Sequence, residues 1–127
     1  MKIALPLLLG LLATTSTLAA EIPLAGSYGT PTGCALANKT SPVPDGKTAA
    51  VTPTEVLNKD AICPVTEVGE PTKEGDVTTW QVVISCEAGH DAVEGGTLSV
   101  SEDLAKPELK VSVVDGVGPK GTYKPCP

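Results

Sequence analysis

Phenylalanine and arginine are both missing from these 127 residues, and the chain holds one tryptophan, two tyrosines and one histidine. Each scarcity removes a class of function. Arginine supplies the planar fork that grips phosphate or carboxylate in two places at once, and phosphate contacts dominate nucleic-acid affinity. Without arginine, and with 15 Asp and Glu against nine Lys for a net charge of −6, no binding to nucleic acid or to an anionic lipid surface is expected. The negative surplus serves solubility, or steers the chain toward a basic partner. Hydrolysis by a Ser-His-Asp triad needs a base beside the nucleophile. His90 is the only histidine and no serine lies in a Gly-x-Ser-x-Gly elbow, so no enzyme is expected, and no cofactor.

The shortage of aromatics also limits the core. Trp80, Tyr28 and Tyr123 are the only rings, so the interior must be built from valine, leucine, isoleucine and alanine. Burying such a side chain is worth roughly 1.5–3 kcal/mol, which makes an aliphatic core of this size thin. Disulfides compensate, at about 2–4 kcal/mol each. Four cysteines are present: Cys34, Cys63, Cys86 and Cys126. They allow three pairings. Cys34–Cys63 with Cys86–Cys126 is the pairing favoured here, because each bridge then ties one half of a meander to itself. No C-x-x-C occurs and the gaps are too long for a compact zinc knuckle, so the cysteines read as bridges rather than as redox or metal ligands.

The first 20 residues carry Lys2, the apolar run 3–12 and small residues at Thr17, Ala19 and Ala20. A charged start, an apolar stretch and a small-residue cleavage site form a secretory signal peptide. The run is shorter than the roughly 20 residues of a spanning helix, and no cysteine sits at the cleavage point, so no membrane anchor is expected. Export delivers the thiols to an oxidising compartment, secreted or periplasmic. The expected organisation is a signal peptide over 1–20 and a single β-rich domain over 21–127.

Within that domain the first half is rich in turns, and the second half shows period two. In the segment 79–86, Trp80, Val82, Ile84 and Cys86 share one face, Thr79, Gln81 and Ser85 the other, and Val83 breaks the pattern. Leu98 and Val100 alternate in 97–101, and Leu109, Val111 and Val113 in 108–114. Such alternation marks antiparallel strands with one face on the core. Polar loops are expected at Pro42–Lys47, Glu70–Asp76, Gly89–Gly96 and Asp115–Gly121. Thr52-Pro53-Thr54-Glu55 has the spacing of a capping box and leads into either one helical turn or a strand. The expected fold is all-β: a small antiparallel meander closing into a barrel or sandwich, stapled by disulfides.

Several residues join into a longer pattern. Gly26-Ser27-Tyr28-Gly29 precedes Cys34; Cys63-Pro64-Val65 and Trp80-Gln81-Val82 lead on to Cys86; Tyr123-Lys124-Pro125-Cys126 closes the chain. This order resembles a class of small exported bacterial proteins with disulfide-bonded β domains. The resemblance implies a compact β fold and says nothing of activity. The opening Gly26-Ser27-Tyr28 is also similar to the start of lipocalin-like barrels, among them exported protease inhibitors, with Tyr28 where those carry tryptophan.

Two further clusters call for placement. Glu87, His90, Asp91 and Glu94 are the one grouping with metal-ligand chemistry, but a lone loop histidine is usually solvated, and no metal is expected. Glu102 and Asp103 are adjacent carboxylates, which point to opposite faces of a strand and so make no glycosidase pair; they read as a solvated strand end. The function expected is therefore that of an exported, non-enzymatic binding domain with a protein partner, in concrete form an inhibitor of a secreted or periplasmic hydrolase. The alternative is a carrier of a small apolar ligand inside a barrel lined by Val82, Ile84, Val100, Val111 and Val113.

Overall fold

The computed structural model describes residues 20–38, 48–59, 61–88 and 92–127. The expected signal peptide falls outside these residues except for Ala20, and so do the loop Pro42–Lys47, His90 and Asp91. In chain order the elements are β1 (Tyr28–Gly29), α1 (Pro31–Ala37), β2 (Ala49–Val51), β3 (Glu55–Asn58), β4 (Ala61–Val68), β5 (Thr72–Glu74), β6 (Val77–Ala88), β7 (Ala92–Asp103), β8 (Glu108–Gly116) and β9 (Gly121–Pro125).

Eight strands close into an antiparallel barrel. Strand β1 pairs with β2, β2 with β3 and β3 with β4; β4 pairs with β6, and β6, β7, β8 and β9 continue round until β9 meets β1. Closure leaves no edge in the ring, the hazard that an open meander would carry. The exception is β5, which occupies the edge of β6 beyond the end of β4 (Thr72 opposite Thr79, Glu74 opposite Val77). All three of its residues are exposed.

The alternation read from the sequence sets the inside. Trp80, Val82, Ile84 and Cys86 of β6 pack with Leu98 and Val100 of β7, Leu109 and Val111 of β8, Tyr123 of β9 and Cys63 and Val65 of β4 in one cluster. Val113 is only half-buried because of a bulge: Leu98 pairs with Val113 but Thr97 with Asp115. The bulge pushes Val114 out to 59% exposure. It ends at Gly116, whose φ of 75° and a Cβ position 2.1 Å from the Gly95 carbonyl oxygen admit glycine alone.

The shorter half of the ring was less legible. Thr52-Pro53 leads into β3, not a helical turn. The Thr52 hydroxyl still accepts from the Glu55 amide (3.0 Å) and the Thr54 amide (3.3 Å), so the capping chemistry forms within a turn. The helix is instead α1, capped by Thr30, whose hydroxyl accepts from the Gly33 amide at 3.1 Å, with Pro31 at its start. It lies on the outside of β2, which is why Ala49, Ala50 and Val51 are all buried. A Cβ on Gly33 would sit 1.9 Å from the Ala49 carbonyl oxygen, so glycine permits that contact. Three expected loops also contain strand: Glu70–Asp76 holds β5, Gly89–Gly96 contributes 92–96 to β7, and Asp115–Gly121 gives its first two residues to β8 and its last to β9.

One end of the barrel is closed by the segment 20–27. Ile22 is 1% exposed and joins the core, its amide donating to the Pro53 carbonyl at 2.8 Å. Three residues on, the Ala25 amide donates to Glu102 Oε2 at 2.9 Å, and the Tyr28 hydroxyl donates to the same oxygen at 2.7 Å. Glu102 is thus buried, at 4% exposure, which corrects its reading as a solvated strand end. Period two carries Leu98, Val100 and Glu102 to the same inward face, and donors from two distant segments satisfy the carboxylate there.

This arrangement has a consequence at high pH. Burial, then the hydrogen bond to Glu102 and its charge, push the Tyr28 phenol from 10.0 up to about 12; burial pushes Tyr123 up as well. The fold holds the neutral phenols, so their contribution is complete below pH 10 and is lost as pH rises from there through about 12 for Tyr28. Tyrosinate absorbance at pH 10 is expected to stay well below that of the unfolded chain. A half-ionised signal in the folded protein at that pH would contradict the burial.

The disulfides correct the favoured pairing. Cys34 is joined to Cys126, and Cys63 to Cys86. The favoured pairs tied each half of the meander to itself; barrel closure instead brings the halves together. The register that sets Val65 opposite Ile84 brings Cys63 to Cys86 across the β4–β6 seam, with Cα atoms 4.3 Å apart. Pairing of β9 with β1 likewise brings the end of the chain to α1. Both bridges fit an oxidising environment.

Candidate binding surface

At the end closed by segment 20–27, two turns stand together. One joins β5 to β6 through Gly75, whose φ is 60°. The other joins β7 to β8 and is built on Asp103, whose Oδ1 accepts from the Ala105 amide at 3.0 Å and the Lys106 amide at 3.2 Å. Asp in this role mimics a backbone turn. The Leu104 amide donates to the Asp76 carbonyl at 3.2 Å and ties the two turns to each other. Leu104 itself is 60% exposed.

The turn is fixed by its own hydrogen bonds, and it holds a large aliphatic side chain in water, as Ile62 and Val114 also are elsewhere on the barrel. Around it the sequence places Glu74, Asp76, Asp103 and Glu108 against Lys73 and Lys106. The end is therefore acidic with an apolar centre. Of the expected polar loops, Glu70–Asp76 belongs to this end; Pro42–Lys47 lies outside the described residues, and Gly89–Gly96 lies partly outside them.

No anchor residue is expected from the sequence alone, and the exposed Leu104 is not singled out there. The available signal is Asp103-Leu104-Ala105-Lys106-Pro107, a turn with an aliphatic residue at its tip between two alternating strands. Trp80 and Tyr123, at 4% and 8% exposure, belong to the core. Val82, Ile84, Val100 and Val111, the expected lining of a ligand chamber, pack within the core cluster, and Val113 packs against it.

The metal grouping does not converge where it is described. Glu94 pairs with Cys86, which faces the core side, whereas Glu87 is the next residue along β6 and faces outward. Among the described residues no group of three or more His, Cys, Asp or Glu could hold a metal ion, and no helix is long and apolar enough to cross a membrane.

Taken together, the chain is a closed eight-stranded antiparallel barrel, filled and twice bridged, with one acidic end that presents an exposed leucine. No family model, curated protein or solved structure matches it.

Proposed function

We propose that this chain is an exported, non-enzymatic binding domain, and that it inhibits a secreted or periplasmic hydrolase through its acidic end. The observation that carries the reading is the Asp103 turn, which holds Leu104 in water at 60% exposure. Binding requires contact residues to be ordered, and a turn already fixed by its own hydrogen bonds lowers that requirement. Leu104 is the anchor, and the carboxylates of the two turns speed encounter with a basic target and exclude an acidic one. The signal-peptide pattern supports export, and so do the two bridges. The filled interior supports action through the surface.

The test uses the oxidised domain, residues 21–127, immobilised and exposed to the secreted or periplasmic fraction of its host. Retained proteins are identified, and the activity of any hydrolase among them is titrated with the domain. Losing a buried leucine is worth about 1.5–3 kcal/mol, roughly 10- to 150-fold in affinity. Leu104→Asp is expected to weaken inhibition by at least that much while the thermal melt stays in place. If no hydrolase is retained, or Leu104→Asp inhibits as well as the parent, the reading fails.

A further inference from the structure

The strand register leaves a second concave surface on the outer wall of the barrel, beginning one same-face pair along β7 and β8 from Asp103 and Glu108. Along its outer wall β8 pairs with β7 from Gly96 to Asp103, yet it pairs with β9 only over Leu109–Val111, opposite Tyr123–Gly121. Past Val111 the neighbouring strand is missing, since β9 begins only at Gly121 and the chain before it turns back toward β7, where the Val117 amide donates to the Gly95 carbonyl at 3.3 Å. The step between full and partial pairing forms a groove of about 550 Å³, lined chiefly by Ser99, Ser101, Lys110, Ser112, Lys120 and Thr122. That volume lies in the range of small-ligand sites.

The lining is chemically one-sided. Ser101 sits opposite Lys110, Lys110 opposite Thr122, and Ser99 opposite Ser112, so hydroxyls and an ammonium group form a grid on one face of three strands. Ser101 shares a hydrogen bond with the Thr79 hydroxyl at 2.7 Å. Among the described residues, Lys110, Lys120, Ser99, Ser112 and Thr122 have no side-chain hydrogen bond or ion pair. No carboxylate lines the groove, although the chain as a whole carries a net charge of −6. Two unpaired cations and three unpaired hydroxyls therefore face one concavity on an otherwise acidic molecule.

The geometry points to a binding site for an acidic carbohydrate chain, whose carboxylate or sulfate groups meet Lys110 and Lys120 and whose hydroxyls meet Ser99, Ser112 and Thr122. Hydroxyl side chains both donate and accept, as sugar hydroxyls do, and lysine supplies point charges suited to single anionic groups spaced along a chain. The groove has no aromatic side chain, since Trp80, Tyr28 and Tyr123 are all buried. A neutral sugar ring or a nucleobase would find nothing to stack on, so charge must carry the affinity and hydroxyls the orientation. This inference does not rest on the hydrolase reading.

The test titrates the oxidised, isotope-labelled domain at low salt with three oligosaccharides of equal length: a carboxylated one (oligogalacturonate), a sulfated one (heparin-derived) and a neutral one (dextran-derived). Amide shifts are expected to cluster at 99–101, 110–112 and 120–122 with one or both acidic ligands, and to vanish with the neutral one. A carboxylated-only or sulfated-only response names the anionic group. Lys110→Gln/Lys120→Gln, both at exposed positions, is expected to weaken binding at least tenfold with the rest of the spectrum unchanged, and Ser99→Ala/Ser112→Ala to weaken it less. Leu104→Asp is expected to leave these shifts intact, which separates this site from the acidic end. Equal shifts with the neutral ligand, shifts located elsewhere, no shifts at all, or full binding by the double lysine variant would overturn the assignment.

Discussion

Reduction is expected to unfold the domain at physiological temperature, and removal of either bridge alone to cost several kcal/mol. The Cys34–Cys126 bridge closes a span of 92 residues and Cys63–Cys86 one of 23. On the chain-entropy account these correspond to about 4.6 and about 3.4 kcal/mol. Whole domains have only about 5–15 kcal/mol of stability, so losing both removes most or all of it from a core with three rings. The two bridges should not behave alike. Cys63 and Cys86 are 0% and 4% exposed within the core cluster, so replacing both by alanine also leaves a cavity at the β4–β6 seam. Cys34, at 5% exposure, and the half-buried Cys126 lie where α1 meets the end of β9, outside that cluster. Urea unfolding followed by Trp80 fluorescence measures each effect. Cys63→Ala/Cys86→Ala is expected to lose more than its chain-entropy share, and Cys34→Ala/Cys126→Ala close to its own. A reduced and alkylated protein that melts with the oxidised one would show that the barrel closes without its bridges.

The same closure explains which parts of the fold the sequence disclosed. Strands β6, β7 and β8 run for 9 to 12 residues, long enough for period two to stand out, and apart from Glu102 their buried residues are the ones the pattern selected. Strands β1, β2 and β3 have two to four residues, too few to show any period. In β2 the alternation is erased outright, because α1 buries the outer face and Ala50 is 0% exposed. Two Thr-Pro pairs carry the same capping chemistry, and the residues after each pair decide between helix and strand. After Thr52-Pro53 come Val56 and Leu57, held between β2 and β4; after Thr30-Pro31 come Ala35, Leu36 and Ala37, good helix formers. The disulfide pairing was out of reach for a different reason. It depends on the β4–β6 seam, and a seam is a property of closure that no local window contains.

The candidate surfaces were less legible still. Leu104 sits in a turn that any sequence reading would leave polar, and its fixed exposure depends on the Asp76 carbonyl, 28 positions back along the chain. The lysines and serines of the outer groove look locally like ordinary solvated residues of alternating strands. Only the early end of the β8–β9 ladder makes them line a concavity.

Glu102 carries the other large expected effect. Its Oε2 accepts from the Tyr28 hydroxyl and the Ala25 amide across 74 and 77 positions of sequence, and so it joins β7 to β1 and to the segment that closes the barrel end. Hydrogen bonds to a charged group are worth about 1.5–3 kcal/mol each, and donors stranded in the interior add their own penalty. Glu102→Leu is therefore expected to lower stability by about 3 kcal/mol or more, and to release segment 20–27, seen as faster amide exchange at Ile22 and Ala25. Tyr28→Phe removes one donor and leaves the carboxylate with the Ala25 amide, so a smaller loss is expected, with less release of that segment. Combining the two replaces both ends of one bond with apolar groups, and the double variant should be more stable than the sum of the single losses predicts. A double-mutant cycle in urea measures that coupling. Strict additivity would mean that Tyr28 and Glu102 act separately, and that the barrel end is closed by the burial of Ile22 alone.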